Sequence, residues 1–252
     1  MILLADFGNT RVKVALSRGN SLDVIYNGPV MLRDMQDAVK GVDIEGGMWC
    51  SVHDIEPDVR EWMESLGLKA LTASTRIPIR NAYRTPGTLG MDRLAAAAGA
   101  WSMEPGHDIL IIDAGTAVTY DFVTKDGVYK GGNIAPGAAL RFSSLHEHTG
   151  ALPLVQADGE TPLMGFDTPT AIRSGVLNGL RYEAEGYISE LELLYPALLV
   201  FLTGGDADFF DIKAKSRIFA VPDLVLRGLA RIVEYNGGRR IFSYRHRMRR
   251  AF

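Results

Sequence analysis

A single cysteine, Cys50, stands among 252 residues. That excludes an internal disulfide and points to a reducing compartment. No apolar run approaches the roughly 20 residues of a membrane span. The N-terminus enters a strand-like run with no charged leader ahead of it. A cytoplasmic location with no membrane partner is the expectation. The formal net charge is −3, without the basic excess of a nucleic-acid binder. The familiar phosphate loops are missing: there is no Gly-x-x-x-x-Gly-Lys-Ser/Thr, and no Gly-x-Gly-x-x-Gly after a strand. Asp6-Phe7-Gly8 matches the protein-kinase magnesium triplet by letters only, with no room upstream for a lobe. Metal-spaced His and Cys are scarce as well. Cys50-Ser51-Val52-His53 offers one thiol and one imidazole, too few for structural zinc. His146 and His148 stand two apart and diverge on a helix. Both stretches are expected in surface or turn roles.

What is present is a mixed pattern of strands and helices. Strands are predicted at 2–6, 11–17, 23–27, 47–52, 68–72, 109–113, 117–123, 128–131, 198–203 and 217–220. Helices are predicted near 31–40, 56–66, 91–103, 137–147, 169–195, 206–214 and 222–235. Asp167 or Thr168 can cap the helix that Pro169 opens. The order implies α/β layers with a partly antiparallel sheet. The last stretch, GGRRIFSYRHRMRRAF, holds six Arg and no acid; it is expected to be a loose tail.

One motif comes twice. Residues 3–16 read LLADFGNTRVKVAL, and residues 109–123 read ILIIDAGTAVTYDFV. In each, an apolar strand ends in Asp, and a Gly two residues on opens a turn into a second strand. Asp113 matches Asp6, Gly115 matches Gly8, and Thr116 takes the place of Asn9, 107 residues apart. Either copy alone would be an ordinary hairpin with Asx-turn chemistry. Two copies in the same order suggest two similar half-domains facing a cleft, 1–106 and 107–236, with a basic tail at 237–252. Backbone N–H groups and the Asn9, Thr10 and Thr116 side chains can donate to phosphate oxygens, and Lys13 adds a point charge. Asp6 and Asp113 would repel a bare phosphate, but suit a cation placed between.

Three further stretches shape the same reading. In YRTPGTLGMDR, residues 83–93, Asp92 and Arg93 open an Ala-rich helix behind a loop of Pro86, Gly87 and Gly90. The acid can serve the helix dipole, or it can take the proton of a substrate hydroxyl while Arg93 holds a carboxylate. GGNIAPG at 131–137 reads as a loop lining the cleft. FLTGGDADFF at 201–210 reads as a strand end that admits a flat ring or sugar, or as an ordinary turn.

Taken together, DFGNTRVK (6–13), LGMDRLAAAAGA (89–100), DAGTAVTYD (113–121) and GGNIAPG (131–137) resemble the type III pantothenate kinases. GFDTPTAIRSG (165–175) and LTGGDA (202–207) fit as well. The resemblance implies an actin-like ATPase fold of two RNase H-like half-domains with mixed sheets. It implies phosphorylation of pantothenate by ATP, the first step of coenzyme A synthesis. Asp6, Gly8, Asn9, Thr10, Lys13 and Thr116 would bind ATP, with Asp6 near Mg2+. Asp113 would ligate a monovalent cation, K+ or NH4+. Asp92 would accept the proton of the pantothenate hydroxyl, with Tyr83, Gly90, Met91 and Arg93 lining the pantothenate site. Thr168 would reach substrate from the partner subunit of a homodimer. A nucleotide-binding accessory factor in transcription and a kinase for another small acceptor remain as alternatives.

Overall fold

The computed structural model describes residues 1–19, 21–210, 212 and 216–237. By its contacts the chain divides into two compact units. The first holds Met1–His107, Phe122–Gly131 and the described residues from Asp223 on; the second holds Asp108–Asp121 and Gly132–Pro222. The halves read from the sequence kept 223–236 in the second.

The first unit is built on a sheet of order β3-β2-β1-β4-β5: β1 Ile2–Phe7, β2 Val12–Arg18, β3 Ser21–Gly28, β4 Gly47–Ser51 and β5 Leu68–Ala70. β1 runs antiparallel to β2 and parallel to β4. Side chains alternate across the pleat. Leu3, Ala5 and Phe7 therefore share one face, where they meet Met35 of α1 (Leu32–Ala38) and Val59 and Met63 of α2 (Pro57–Ser65) in a buried core. Leu4 and Asp6 take the opposite face. There α6 (Leu224–Gly237) contacts β1 and β4, and α3 (Met91–Met103) contacts β4 and packs on α6. The α3–α6 crossing is tight because its contact residues are small. A side chain on Gly228 would overlap the Ala95 carbonyl, and one on Gly99 would meet the Leu224 oxygen at 2.8 Å.

The second sheet has the order β11-β10-β7-β8-β9-β6. Its strands are β6 Arg80–Asn81, β7 Ile109–Ala114, β8 Ala117–Val123, β9 Val128–Pro136, β10 Leu199–Thr203 and β11 Arg217–Ala220. β7 is apolar along its first four residues and parallel to β10, as expected of a strand covered on both faces. The helices α4 (Ala138–Glu147) and α5 (Thr168–Leu194) connect β9 to β10. Asp167 caps α5, accepting the Thr170 N–H at 2.8 Å, and Thr170 answers the Asp167 N–H at 3.1 Å.

The repeat seen in the sequence is a repeat of topology. β3-β2-β1-β4-β5 and β9-β8-β7-β10-β11 have the same strand order. The connections differ: residues 8–11 join β1 to β2, whereas residues 115–116 suffice for β7 to β8.

Two local expectations are corrected, and one strand was not foreseen. The helix predicted at 206–214 is, over its described residues, a single 3-10 turn, Ala207–Phe209. Bonds from Phe209 N–H to Asp206 O and from Phe210 N–H to Ala207 O close it three residues back, a geometry that seldom propagates. Residues 211 and 213–215 lie outside the described set. GGNIAPG is strand through Pro136 rather than loop. Two-residue β6 carries no strand signal of its own. The basic tail beyond Gly237 also falls outside the described residues. No described helix is long and apolar enough to cross a membrane.

Candidate active site

The first turn begins where β1 ends. Gly8 N–H donates to Arg11 O at 3.0 Å, and Asn9, Thr10 and Arg11 are exposed. Arg11 reaches back to the Asn27 carbonyl at 2.9 Å. Lys13 stands opposite Asp6 in the β1–β2 register. This gives a polar tip, a lysine and an acid at the head of one hairpin.

Asp6 shares its face with Cys50, its register neighbour on β4. The Cys50 thiol donates to Asp6 Oδ1 at 3.5 Å. Asp92, in the first turn of α3, brings a second acid to the same place. Gly90 caps that helix, and a side chain there would overlap Asp92 Oδ1. Arg93 is buried and Met91 half-buried. The Asp6 carboxyl is pushed up to about 6, first by burial and then by the Asp92 charge, while Lys13 and the Cys50 thiol pull the other way. Burial and the same two acids push the Cys50 thiol well above its usual range, so it stays protonated and donates to Asp6. The surface or turn role expected for Cys50 is therefore wrong: it is 1 % exposed. His53 is exposed, its Nδ1 paired with the Asp54 carbonyl at 2.9 Å.

Tyr83 lies half-buried ahead of the α3 loop. Its ring tilts against Tyr129, 6.3 Å between centroids.

In the second unit, Gly115 N–H donates to Ala117 O at 3.1 Å, and Thr116 O accepts the Gly137 N–H at 3.0 Å. The second turn is thus tied to the start of α4. Asp113 and Thr116 are half-buried, and Thr203 is the register neighbour of Asp113. A side chain on Gly204 would overlap the backbone of Ala114, whereas Gly205 faces open space. The first glycine serves strand packing; only the second leaves room for a ligand. Thr168 is the exposed first residue of α5. It lines a groove of about 840 Å³ between α4 and α5, with Arg141, Leu145, Leu152, Phe166 and Ile172. Arg141 donates to Glu183 at 2.7 Å, and Tyr120 donates to the other Glu183 oxygen at 2.9 Å.

The first unit therefore gathers Asp6, Lys13 and Asp92. Gly8, Asn9 and Thr10 lie on the adjoining turn, and Gly90, Met91 and Arg93 flank Asp92. The second unit holds Asp113 and Thr116 at one hairpin and Thr168 on the groove. Sequence reasoning missed Cys50, whose only signal was its place in the apolar strand predicted at 47–52; its pairing with β1 is a finding of the structure. It also missed Tyr129, which rests against Tyr83 and carries no motif. Among the described residues, no three His, Cys, Asp or Glu side chains gather as a metal cage. Two neighbouring acids, one reluctant to ionise alone, fit Mg2+, which is held by one or two carboxylates together with substrate phosphates.

Comparisons with known proteins give the family. The family model of the type III pantothenate kinases matches residues 2–190. A type III pantothenate kinase of Bacteroides fragilis strain YCH46 is 47% identical over 242 residues, covering 95% of this chain and 100% of that protein. The Phocaeicola vulgatus enzyme of the same name is 46% identical over 94% of this chain and 99% of its own length. Among solved structures, a Campylobacter jejuni protein described as a Baf family transcriptional activator superposes with TM-score 0.62 at 20% identity, covering 94% of this chain and 100% of that one. Lmo2764 of Listeria monocytogenes, described as an N-acetylmannosamine kinase, superposes with TM-score 0.53 at 12% identity over 93% of this chain and 99% of its own. At such identities the likeness speaks for the fold alone, the α/β fold of the actin-like ATPases and sugar kinases. The strand–turn–strand motifs, the acid heading α3 and the match over most of the chain lead to one conclusion: this chain belongs to the type III pantothenate kinase family.

Proposed function

We infer that the chain transfers the γ-phosphoryl group of ATP to the hydroxyl of pantothenate, giving ADP and 4′-phosphopantothenate, the first step of coenzyme A biosynthesis. The observation that carries this is the meeting of Asp92 with Asp6 beside the first turn, in a chain of this family. Phosphoryl transfer passes through a loose transition state, so positioning and charge outweigh base strength. Asp92 orients the pantothenate hydroxyl and takes its proton late. Arg93, Met91, Gly90 and Tyr83 hold the pantothenate body. Gly8, Asn9, Thr10 and Lys13 on one hairpin, and Thr116 on the other, hold the ATP phosphates. Asp6 would hold Mg2+, and the metal would neutralise phosphate charge. Asp113, with the Thr203 hydroxyl on the neighbouring strand, supplies oxygen donors suited to K+ or NH4+.

The working form is a homodimer in which Thr168 reaches the partner's substrate. This is supported by its exposure on the groove and by the open apolar side chains of α5, Tyr182, Leu193 and Leu194. No nucleic acid is required, and a cytoplasmic reaction fits the single buried thiol.

The test is ADP release with ATP, Mg2+ and pantothenate, in K+ and again in Na+. Release that depends on pantothenate and on K+ or NH4+ supports both the kinase and the cation role of Asp113. Equal rates in both salts remove the cation role. No release from folded protein that binds ATP overturns the substrate.

A further inference from the structure

Tyr83 is held from three sides within the first unit. Its backbone N–H donates to Asn81 Oδ1 at 2.9 Å, an Asx turn that fixes the direction in which the chain leaves β6. Asn81 is itself fixed, because Arg80 N–H donates to Gly127 O at 2.8 Å and Ala82 N–H to Tyr129 O at 3.0 Å. The ring rests against Tyr129, which is fully buried. The third side is Gly131. Its φ is +101°, and a Cβ there would stand 2.9 Å from Tyr83 Cδ2 and 3.1 Å from Cε2. No side chain larger than hydrogen leaves the ring where it is. Neither Asn81 nor Gly131 belongs to the turns or to the α3 acid.

We propose that Asn81 and Gly131 are positioning residues that set the Tyr83 ring for the pantothenate side of the reaction. This rests on Tyr83 being a pantothenate contact. Asn81 acts through the backbone that carries the ring, and Gly131 by leaving the ring its seat. Neither touches substrate.

The experiment is steady-state kinetics in both substrates on Asn81→Ala, Asn81→Asp, Gly131→Ala and Tyr83→Ala, with melting temperatures as a check on folding. Displacing a binding group by a fraction of an ångström costs about tenfold, so Asn81→Ala and Gly131→Ala raise KM for pantothenate by about that factor. KM for ATP stays within about twofold. Asn81→Asp keeps the acceptor oxygen and returns KM to near the native value. In the Tyr83→Ala background the Gly131→Ala effect disappears, because residues that act through one another are not additive. A rise in both KM values together, an Asn81→Asp no better than Asn81→Ala, or a Gly131 effect that survives without the Tyr83 ring overturns the proposal. A Tyr83→Ala variant with native KM for pantothenate overturns the role of Tyr83 itself, and this proposal with it.

Discussion

Asp6 and Asp92 are placed to repel, and that repulsion has a measurable sign. An unfolded Asp6 titrates near the ordinary 3.8 and the folded one near about 6, so between these values the native state binds the extra proton. Stability of the metal-free protein is therefore greatest below pH 4 as far as this group goes, and declines as pH rises through 6. At 1.36 kcal/mol per unit the loss reaches about 3 kcal/mol. Asp6→Asn should recover up to about 3 kcal/mol at pH 7 and nothing at pH 4, read from thermal melts without Mg2+. A melt that shifts equally at both pH values would contradict it. The same variant should lose activity, the familiar cost of stabilising an active site. Asp92→Asn keeps the volume and removes the proposed base. It should lower turnover by roughly 10²- to 10⁴-fold with ATP affinity unchanged, as calorimetric titration would show.

At the scale of elements, the molecule depends on small residues where helices cross. Gly228→Ala places a methyl group against the Ala95 carbonyl and should destabilise by about 1–3 kcal/mol, measured by urea unfolding. A native midpoint would mean that α3 and α6 can separate at little cost. Most of these elements were legible in the sequence. β7 announced itself by a continuous apolar run, and α5 by Asp167 or Thr168 as cap with Pro169 behind it. Two kinds of element were not. β6 exists because β9 offers its edge, a tertiary cause with no local signature. The segment after Thr203 looked helical, yet Gly204 is bound to strand packing and, among the described residues, a single 3-10 turn follows. The site was legible where its residues fall in one motif, as with Asp6 to Lys13 or Gly90 to Arg93. It was not where residues meet through pairing alone: Cys50 reaches Asp6 through strand register, and Gly131 on β9 reaches Tyr83 through the pairing of β9 with β6.

For the whole molecule, the shared-site reading predicts complementation. Asp92→Asn protomers retain Thr168, and Thr168→Ala protomers retain Asp92. Each variant alone should be inactive or severely impaired. Mixed and reassembled, they should regain about a quarter of native activity, since half the dimers are hybrids and each hybrid has one complete site. No recovery, with hybrids shown to form, would place Thr168 outside the partner's site. Leu193→Asp should shift the protein toward monomer in sedimentation and lower activity in parallel.

The return of α6 to the first unit has a consequence in time. β1 is made long before the helix that lies on its Asp6 face, which begins at Leu224. At about 5–20 residues per second of synthesis, that face waits at least about ten seconds for its cover. Until then the N-terminal sheet has a core on one side only, and the nascent chain carries apolar Leu4 and the nearby Cys50 unshielded. That face is thus closed late, and a message cut short before α6 would yield a chain that can form both hairpins and still leave the Asp6 side of its first sheet bare.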